Sequence, residues 1–173
     1  MEEFSSFERR VQTKPWVVID SSIILAAGAP GFSRQIQCMR YLNKSNKEYQ
    51  AYITKPIMGE LLKELSEMKD INLAMSAFEF IRNMIIKFKY IPHMHLDQDC
   101  INTLRNHFSI IHPDDRLHIA HVYTANKKWA REKEAPGDIR FATIDNKIVQ
   151  PDTIRYLKLR LGVEIINPSS LFL

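Results

Sequence analysis

The clearest hydrophobic run of the chain covers residues 16–19 (WVVI) and ends directly at Asp20. These residues are bulky or β-branched and follow Pro15, which predicts a short strand buried on both faces, as in a parallel sheet. Ligands of open α/β sheets bind at the carboxyl ends of the strands, so Asp20 stands where a functional carboxylate is expected. A second interpretation is that Asp20 or one of the two serines after it simply caps a helix that begins at residue 23.

The rest of the chain alternates between short apolar runs and longer segments with helical periodicity. Further strands are predicted over residues 51–54, 89–92, 139–144 and 163–166. Helices are predicted over residues 23–27, 32–42, 55–68, 71–87, 96–108, 113 to about 133, and 151–161. Strands separated by helices pair in parallel through right-handed crossovers. We therefore predict a three-layer α/β/α sandwich with a central, mostly parallel sheet.

Neither a repeat nor a linker interrupts this pattern, so we expect residues 1–173 to form one domain with its core over about 15–167. Residues 1–14 read as a polar lead segment that either docks through Phe4 and Phe7 or frays. The first ten residues carry charges and lack the apolar stretch of a secretory signal, and no later stretch is long enough to span a membrane. We therefore expect a cytoplasmic protein. Its net charge of +4 permits a polyanionic partner without requiring one.

Asp145 repeats the arrangement of Asp20, because the predicted strand 139–144 ends directly before it. An Asx turn is the simpler interpretation, since Asp followed by Asn is a common turn sequence. Two strands of one parallel sheet that both end on aspartate, however, would bring the two carboxylates to the same edge. This coincidence favours a shared functional site.

A third acid is predicted from HPDDRLHIAHVYTA, where two aspartates occupy the first turn of a helix. Acids are common there as partners of the helix dipole. Helical periodicity separates the pair, because Asp115 aligns with Ile119 and Val122 on an apolar face, whereas Asp114 lies on the histidine-bearing face. A carboxylate on a buried face needs a partner or a cation. Asp115 is therefore the candidate site residue, and Asp114 is expected to be solvated and at most supporting.

The fourth candidate is a glutamate of the helix over residues 55–68, and the sequence leaves two choices. Glu64 lies nearer the centre of the apolar stripe of this helix. Glu60 lies nearer the helix start, and hence nearer the carboxyl end of the strand 51–54. We prefer Glu60 for this reason.

Carboxylates that cluster without histidine or cysteine ligands select hard cations, Mg²⁺ or Mn²⁺. Such ions activate water and offset charge on the leaving oxygen of a phosphodiester. The acids would repel one another without an ion, so we expect metal binding to stabilise the fold. The histidines lack regular ligand spacing, which disfavours a zinc site.

Four motifs follow in order: VVIDSSIIL, TKPIMGELL, DDRLHIAHVYTA and FATID. Together they resemble the motifs of the PIN-domain ribonuclease family over roughly residues 15–167, with the second motif the loosest match. Carried over to this sequence, the resemblance implies an acidic quartet and two supporting hydroxyls. The quartet is Asp20, Glu60, Asp115 and Asp145, and the hydroxyls are those of Ser22 and Thr143.

The resemblance further implies Mg²⁺ or Mn²⁺ as cofactor, cleavage of single-stranded RNA that leaves a 5′ phosphate and a 3′ hydroxyl, and frequent dimerisation. The family includes the toxins of toxin–antitoxin pairs, which implies an antitoxin-like protein inhibitor as a partner. It also includes stand-alone nucleases of RNA processing. This chain has a longer segment before its first strand and a longer basic connection at residues 126–138 than the compact toxins, which is compatible with a processing nuclease.

The basic connection carries Lys127, Lys128 and Arg131 around Trp129. Such a run is able to follow a phosphate backbone and stack a base, so these three cations are candidate RNA-binding residues. The alternative is a solvated helix end with the tryptophan packed in the core.

The sequence thus predicts an endoribonuclease that cleaves RNA phosphodiesters with metal-activated water. One alternative is a PIN-fold docking module for RNA or protein with little or no catalysis. Another is a phosphatase similar to the haloacid dehalogenases. That class requires a second aspartate two residues after the first, where this chain has Ser22.

Overall fold

The computed structural model describes residues 14–31 and 33–170 of the chain. Its centre is a five-stranded sheet in the order β3-β2-β1-β4-β5, in which every neighbouring pair is parallel. The strands are β1 (Trp16–Ile19), β2 (Gln50–Thr54), β3 (Lys89–Ile91), β4 (Arg140–Ala142) and β5 (Ile165–Ile166). The predicted α/β class and the parallel sheet are confirmed.

Seven α-helices connect or flank the strands in the described part of the chain. They are α1 (Ser21–Gly28), α2 (Gln35–Asn43), α3 (Lys55–Glu67), α4 (Ile71–Ile85), α5 (Gln98–His107), α6 (Pro113–Ala125) and α7 (Pro151–Leu161). A π-helical turn over Asn126–Ala130 follows α6 without a break, and a 3-10 turn over Pro168–Ser170 follows β5.

The element predictions hold in number and order, and the differences are at the boundaries. Helix α1 begins at Ser21, two residues earlier than predicted, and β4 and β5 are shorter than their apolar runs. The long helix predicted from residue 113 to about 133 changes to π-helical geometry at Asn126, whose side-chain amide donates to the carbonyl of Ile139 over 3.0 Å. The predicted docking of residues 1–14 through Phe4 and Phe7, and the predicted start of the second helix at Phe32, lie outside the described residues.

The strand order decides where the layers lie. From β1 to β3 the chain moves one strand at a time in one direction, so right-handed crossovers place α1 to α4 on one face of the sheet. It then returns to β4 on the other side of β1 and continues to β5, which places α5 to α7 on the opposite face. In agreement, α1 packs against α2, α3 and α4, and α5 packs against α6.

Burial follows from this three-layer arrangement. Val17, Val18 and Ile19 of β1 are each at most 1% exposed, because β1 is the central strand and is covered on both faces. Within the described residues, no helix has both the length and the apolar character needed to cross a membrane.

Candidate metal centre at the carboxyl edge of the sheet

The strand order reverses between β1 and β4, and two of the predicted acids follow these two strands. The pairing of Ile19 with Ala142 aligns the carboxyl ends of both strands, and the amide of Asp20 donates to the carbonyl of Ala142 over 3.0 Å. In open α/β sheets the crevice at such a switch point is where ligands bind. The fold therefore gives Asp20 and Asp145 a shared edge.

Asp20 is 1% exposed and is held by two hydroxyl groups. Its Oδ2 accepts hydrogen bonds from Ser22 Oγ over 2.5 Å and from Thr143 Oγ1 over 2.7 Å. Its Oδ1 is buried and has no hydrogen-bond partner among the described residues. Burial raises the pKa of the Asp20 carboxyl, an effect that the two hydroxyl hydrogen bonds only partly oppose.

The capping interpretation is wrong for the Asp20 side chain. Asp20 occupies the N-cap position of α1, but its carboxylate accepts no backbone N–H of that helix. It instead accepts from hydroxyls on both sides of the switch point, so its role is in the site rather than in the helix end.

Asp145 forms the Asx turn that the simpler interpretation predicts. Its Oδ1 accepts hydrogen bonds from the backbone amides of Lys147 over 2.8 Å and Ile148 over 3.1 Å. Its own amide donates to Thr143 Oγ1 over 3.1 Å, so one hydroxyl connects the backbone of Asp145 to the carboxylate of Asp20. The turn therefore fixes Asp145 beside the other acids, and the two interpretations of this residue are compatible.

Glu60, rather than Glu64, contacts the site. Glu60 Oε2 accepts a hydrogen bond from Ser21 Oγ over 2.6 Å and lies 3.0 Å from Nε2 of His118. Potential ligand atoms of Asp20, Glu60 and His118 all lie within 4.8 Å of one another. Glu64 is one turn further along α3 and lines the cavities on either side of this point.

The pKa shifts of Glu60 and His118 describe an ion pair. The hydrogen bond from His118 lowers the pKa of the Glu60 carboxyl, against the opposing effect of burial. Burial lowers the pKa of His118, but the hydrogen bond to Glu60 and the charges of the surrounding carboxylates outweigh it, so the net pKa is raised. Glu60 is therefore held as a carboxylate.

Asp115 is half-buried in the first turn of α6, next to the other acids. Burial, followed by the charges of Asp20 and Asp145, raises its pKa to about 6. Asp114, by contrast, has 59% of its side chain exposed and lies 3.6 Å from His112 at the helix start. Asp115 is thus the more buried of the two neighbours, as predicted, although the face that Asp114 was expected to share with His118 and His121 is itself buried.

Two polar residues of this cluster, Ser21 and His118, were not predicted as site residues from the sequence. His118, which looks like an ordinary helix position, is 2% exposed and contacts Glu60. A signal for it exists, because it lies three residues after Asp115 and therefore on the same side of α6. Ser21 carries no such signal, since its contact with Glu60 depends on how α1 and α3 pack.

The residues of this cluster fit a divalent cation. The donor set consists of carboxylates with one neighbouring imidazole, and the unpartnered Oδ1 of Asp20 is a buried oxygen that a cation would satisfy. Burial is the main cause of the raised pKa values of Asp20 and Asp115, and the charges of the neighbouring carboxylates add to it. Among the described residues, the group with potential ligand atoms within 4.8 Å of one another is Asp20, Glu60 and His118, and Asp115 and Asp145 of the predicted quartet lie outside it.

The side chain of Arg34 forms hydrogen bonds with both residues that flank Asp145. Its guanidinium donates to the carbonyl of Ile144 and to Oδ1 of Asn146, each over 2.7 Å. These two residues flank Asp145, so the loop before α2 restrains the Asx turn from a distance of more than 100 residues in sequence.

The basic run lies far from the acids. Trp129 packs inward, with ring centroids 5.3 Å from Trp16 and 5.5 Å from Tyr52, as the alternative interpretation predicts. Lys127, Lys128 and Arg131 are exposed, and Lys127 is 3.4 Å from Asp97. They follow the carboxyl end of α6, about 20 Å along the helix from Asp115 at 1.5 Å per residue.

Comparison with known proteins identifies the fold. No protein-family profile matches the chain, and no curated protein matches it at a significant level. Solved structures that share its architecture include FitAcB from Neisseria gonorrhoeae, at 14% identity and a TM-score of 0.59 over 88% of this chain and 98% of that chain. VapBC2 from Rickettsia felis, bound to a DNA fragment from its promoter, matches at 14% identity and a TM-score of 0.56 over 87% and 97%. DNA-bound VapBC from Salmonella typhimurium matches at 12% identity and a TM-score of 0.53 over 89% and 98%.

These neighbours are complexes of PIN-domain toxins of the VapC and FitB type. At 12–14% identity the similarity concerns the fold, and it agrees with the motif resemblance read from the sequence. The chain has a PIN-domain fold.

Proposed function

We propose that this protein is a Mg²⁺- or Mn²⁺-dependent endoribonuclease that hydrolyses phosphodiester bonds of single-stranded RNA. The observation that supports this most is the environment of Asp20 at the switch point of the sheet. A fully buried carboxylate with one oxygen held by two hydroxyls and the other without a partner is a costly arrangement unless a cation completes it.

In this proposal three of the four acids are held by their own neighbours. Ser22 and Thr143 orient Asp20, Ser21 and His118 orient Glu60, and two backbone amides orient Asp145. Such restraints keep the acids in place while a substrate phosphate approaches. When bound, the metal supplies Lewis acidity that activates a water nucleophile and offsets charge on the leaving oxygen.

Asp115 has a distinct part in the proposed site. Its carboxyl is half-buried and its pKa is raised to about 6, so it ionises closer to neutral pH than an exposed aspartate does. Loss of that proton prepares it to bind a cation, because carboxylates ligate metals in the ionised form. Asp114, which is exposed at the rim, has a supporting role in the approach of substrate.

The neighbours also support a proposal about partners. FitAcB and the two VapBC structures are complexes, and the VapBC complexes were solved with DNA. We infer that an antitoxin-like protein inhibitor binds this chain and that the chain forms a homodimer, with the cytoplasm as the place of action.

RNA contact by Lys127, Lys128 and Arg131 stays a prediction. At their distance from Asp115 they would hold a part of the RNA remote from the cleaved bond.

The test is cleavage of a short fluorogenic single-stranded RNA in the presence of Mn²⁺. Wild type, Asp20→Asn and the control Asp152→Asn, an exposed acid in the first turn of α7, are purified identically. We expect cleavage by wild type and by the control, and its loss in Asp20→Asn. Equal activity in all three would identify a contaminating ribonuclease. No cleavage of a broad panel of RNAs by any of the three proteins would favour the docking module.

A further inference from the structure

A cavity of about 520 Å³ opens beside the acidic site. Ser22 and Asp145 belong to its wall, so it is continuous with the proposed catalytic centre. Its remaining surface comes mainly from apolar side chains of α1, of α4 and of the segment that joins α3 to α4, among them Leu25, Ala77 and Met68. This volume lies in the range of ligand-binding cavities, about 300–1,000 Å³.

The polar groups of the cavity are few and have defined hydrogen-bonding capacity. Glu64 presents a carboxylate, which only accepts hydrogen bonds when ionised. The Asn146 side-chain oxygen accepts from Arg34, so its NH₂ group remains as a donor. Apolar walls with a few such groups suit a flat, uncharged ring system with polar edges. They suit a phosphate poorly, because Arg34 is the one cation among the lining residues and is opposed by two carboxylates.

We propose that this cavity is a nucleobase subsite, which receives the base next to the RNA bond that is cleaved. The inference rests on the proposed function, because continuity with Asp145 places a base there only when the adjacent phosphate lies at the acids. Adenine, cytosine and guanine each carry an exocyclic amino donor, whereas the pairing-edge donor of uracil, N3–H, lies between two carbonyl oxygens that repel a carboxylate. The carboxylate of Glu64 therefore favours the three amino-bearing bases and disfavours uracil.

The test uses oligouridylate and the same oligomer with a single internal adenosine, cytidine or guanosine. Wild type is compared with Ala77→Trp, which fills the cavity from α4, and with Ser76→Trp, which places the same ring on the exposed side of α4. We expect wild type and Ser76→Trp to cleave beside the single amino-bearing nucleotide about tenfold faster than within oligouridylate. Ala77→Trp should cleave all four oligomers at the rate of oligouridylate.

A second variant changes an exposed side chain without changing its size, so we expect it to fold like wild type. Glu64→Gln keeps the shape of an exposed side chain and converts its acceptor-only group into one that also donates. We expect this variant to lose most of the discrimination against uracil while its cleavage of oligouridylate is retained. The subsite is contradicted if Glu64→Gln and a folded Ala77→Trp both keep the preference of wild type, or if wild type shows none.

Binding measurements with the same oligomers test the nucleobase subsite independently of whether the protein cleaves RNA. Fluorescence anisotropy is measured in the Asp20→Asn background, in which the RNA stays intact, at a saturating Mg²⁺ concentration, because this variant is expected to bind the ion at least tenfold more weakly. A preference of about tenfold for the amino-bearing oligomers, lost on adding Ala77→Trp, supports the subsite even if wild type cleaves no RNA. Equal affinity for all oligomers would overturn it even if wild type is an active nuclease.

Discussion

The hydroxyl of Thr143 donates a hydrogen bond to Oδ2 of Asp20 over 2.7 Å, although the two residues lie 123 positions apart in the chain. The contact exists because β1 and β4 are neighbours in the sheet and each continues into a polar residue at the same edge. The same hydroxyl accepts from the amide of Asp145, so it joins the two acids that follow these strands.

Replacing Thr143 with valine tests this connection, because valine keeps the shape of the side chain and removes the hydroxyl. We expect Mn²⁺-dependent RNA cleavage to fall about tenfold, the usual effect of removing a group that orients a metal ligand. The control is Thr153→Val in α7, a buried threonine outside the acidic cluster. Cleavage rates of the two variants are compared at equal folded fraction, and equal rates would show that the Thr143 hydroxyl has no orienting role.

His118 is predicted to hold Glu60 in place. His118→Leu removes the imidazole that lies 3.0 Å from Glu60, and we expect at least a tenfold loss in cleavage rate or Mn²⁺ affinity. His121→Leu is the matched control, since His121 is buried on the same helix and its Nδ1 contacts the carbonyl of Leu117 instead. Both quantities are measured in a Mn²⁺ titration of activity. Similar losses in the two variants would indicate a general packing effect.

Asp115 should destabilise the metal-free protein at neutral pH. Its pKa is about 6 in the folded chain and near 3.8 when unfolded, so the folded state binds the proton more tightly. Its contribution to stability is therefore present below about pH 4 and is lost as the pH rises through about 6. We expect Asp115→Asn to raise the free energy of unfolding at pH 7 by about 2 kcal/mol, and to have little effect at pH 4.

Urea unfolding in the presence of EDTA at the two pH values measures this effect. The control is Asp114→Asn, which changes a neighbouring but exposed aspartate. A gain in stability that is the same at pH 4 and pH 7 would contradict the electrostatic explanation.

Arg34 is predicted to restrain the turn of Asp145 through its bonds to Ile144 and Asn146. Arg34→Ala should lower stability by about 1–2 kcal/mol, because two hydrogen bonds are lost, and should weaken Mn²⁺ binding severalfold. Arg40→Ala, at an exposed position of α2, serves as control. The shift of the melting temperature on adding Mn²⁺ reports the binding. An unchanged shift in Arg34→Ala would separate the turn from the metal site.

The sheet and its acidic edge could be predicted because both depend on local patterns. A buried apolar run that ends on Asp20, repeated at Asp145, is visible in the sequence, and parallel pairing then brings the two ends together. Asp115 is also the more buried of the two adjacent aspartates, as predicted, although the histidine-bearing face assigned to Asp114 is buried too. Each of these inferences uses residues close in sequence and one general rule of sheet topology.

The remaining contacts depend on the packing of elements that are distant in sequence. The bond from Ser21 to Glu60 requires the relative position of α1 and α3, and the bonds of Arg34 require the loop before α2 to reach β4. The inward packing of Trp129 could not be predicted from local sequence either, because the π-helical geometry after α6 determines which side of the basic run faces the core. Composition gives no information on any of these.

The central claim is that the acids at the carboxyl edge bind one or more divalent ions, and direct titration with Mn²⁺ tests it. The free ion is followed by electron paramagnetic resonance in the presence of wild type, Asp20→Asn and Asp152→Asn. We predict saturable binding to wild type and Asp152→Asn, and an affinity at least tenfold weaker for Asp20→Asn. Identical titrations for all three proteins, or no binding by any of them, would contradict the account.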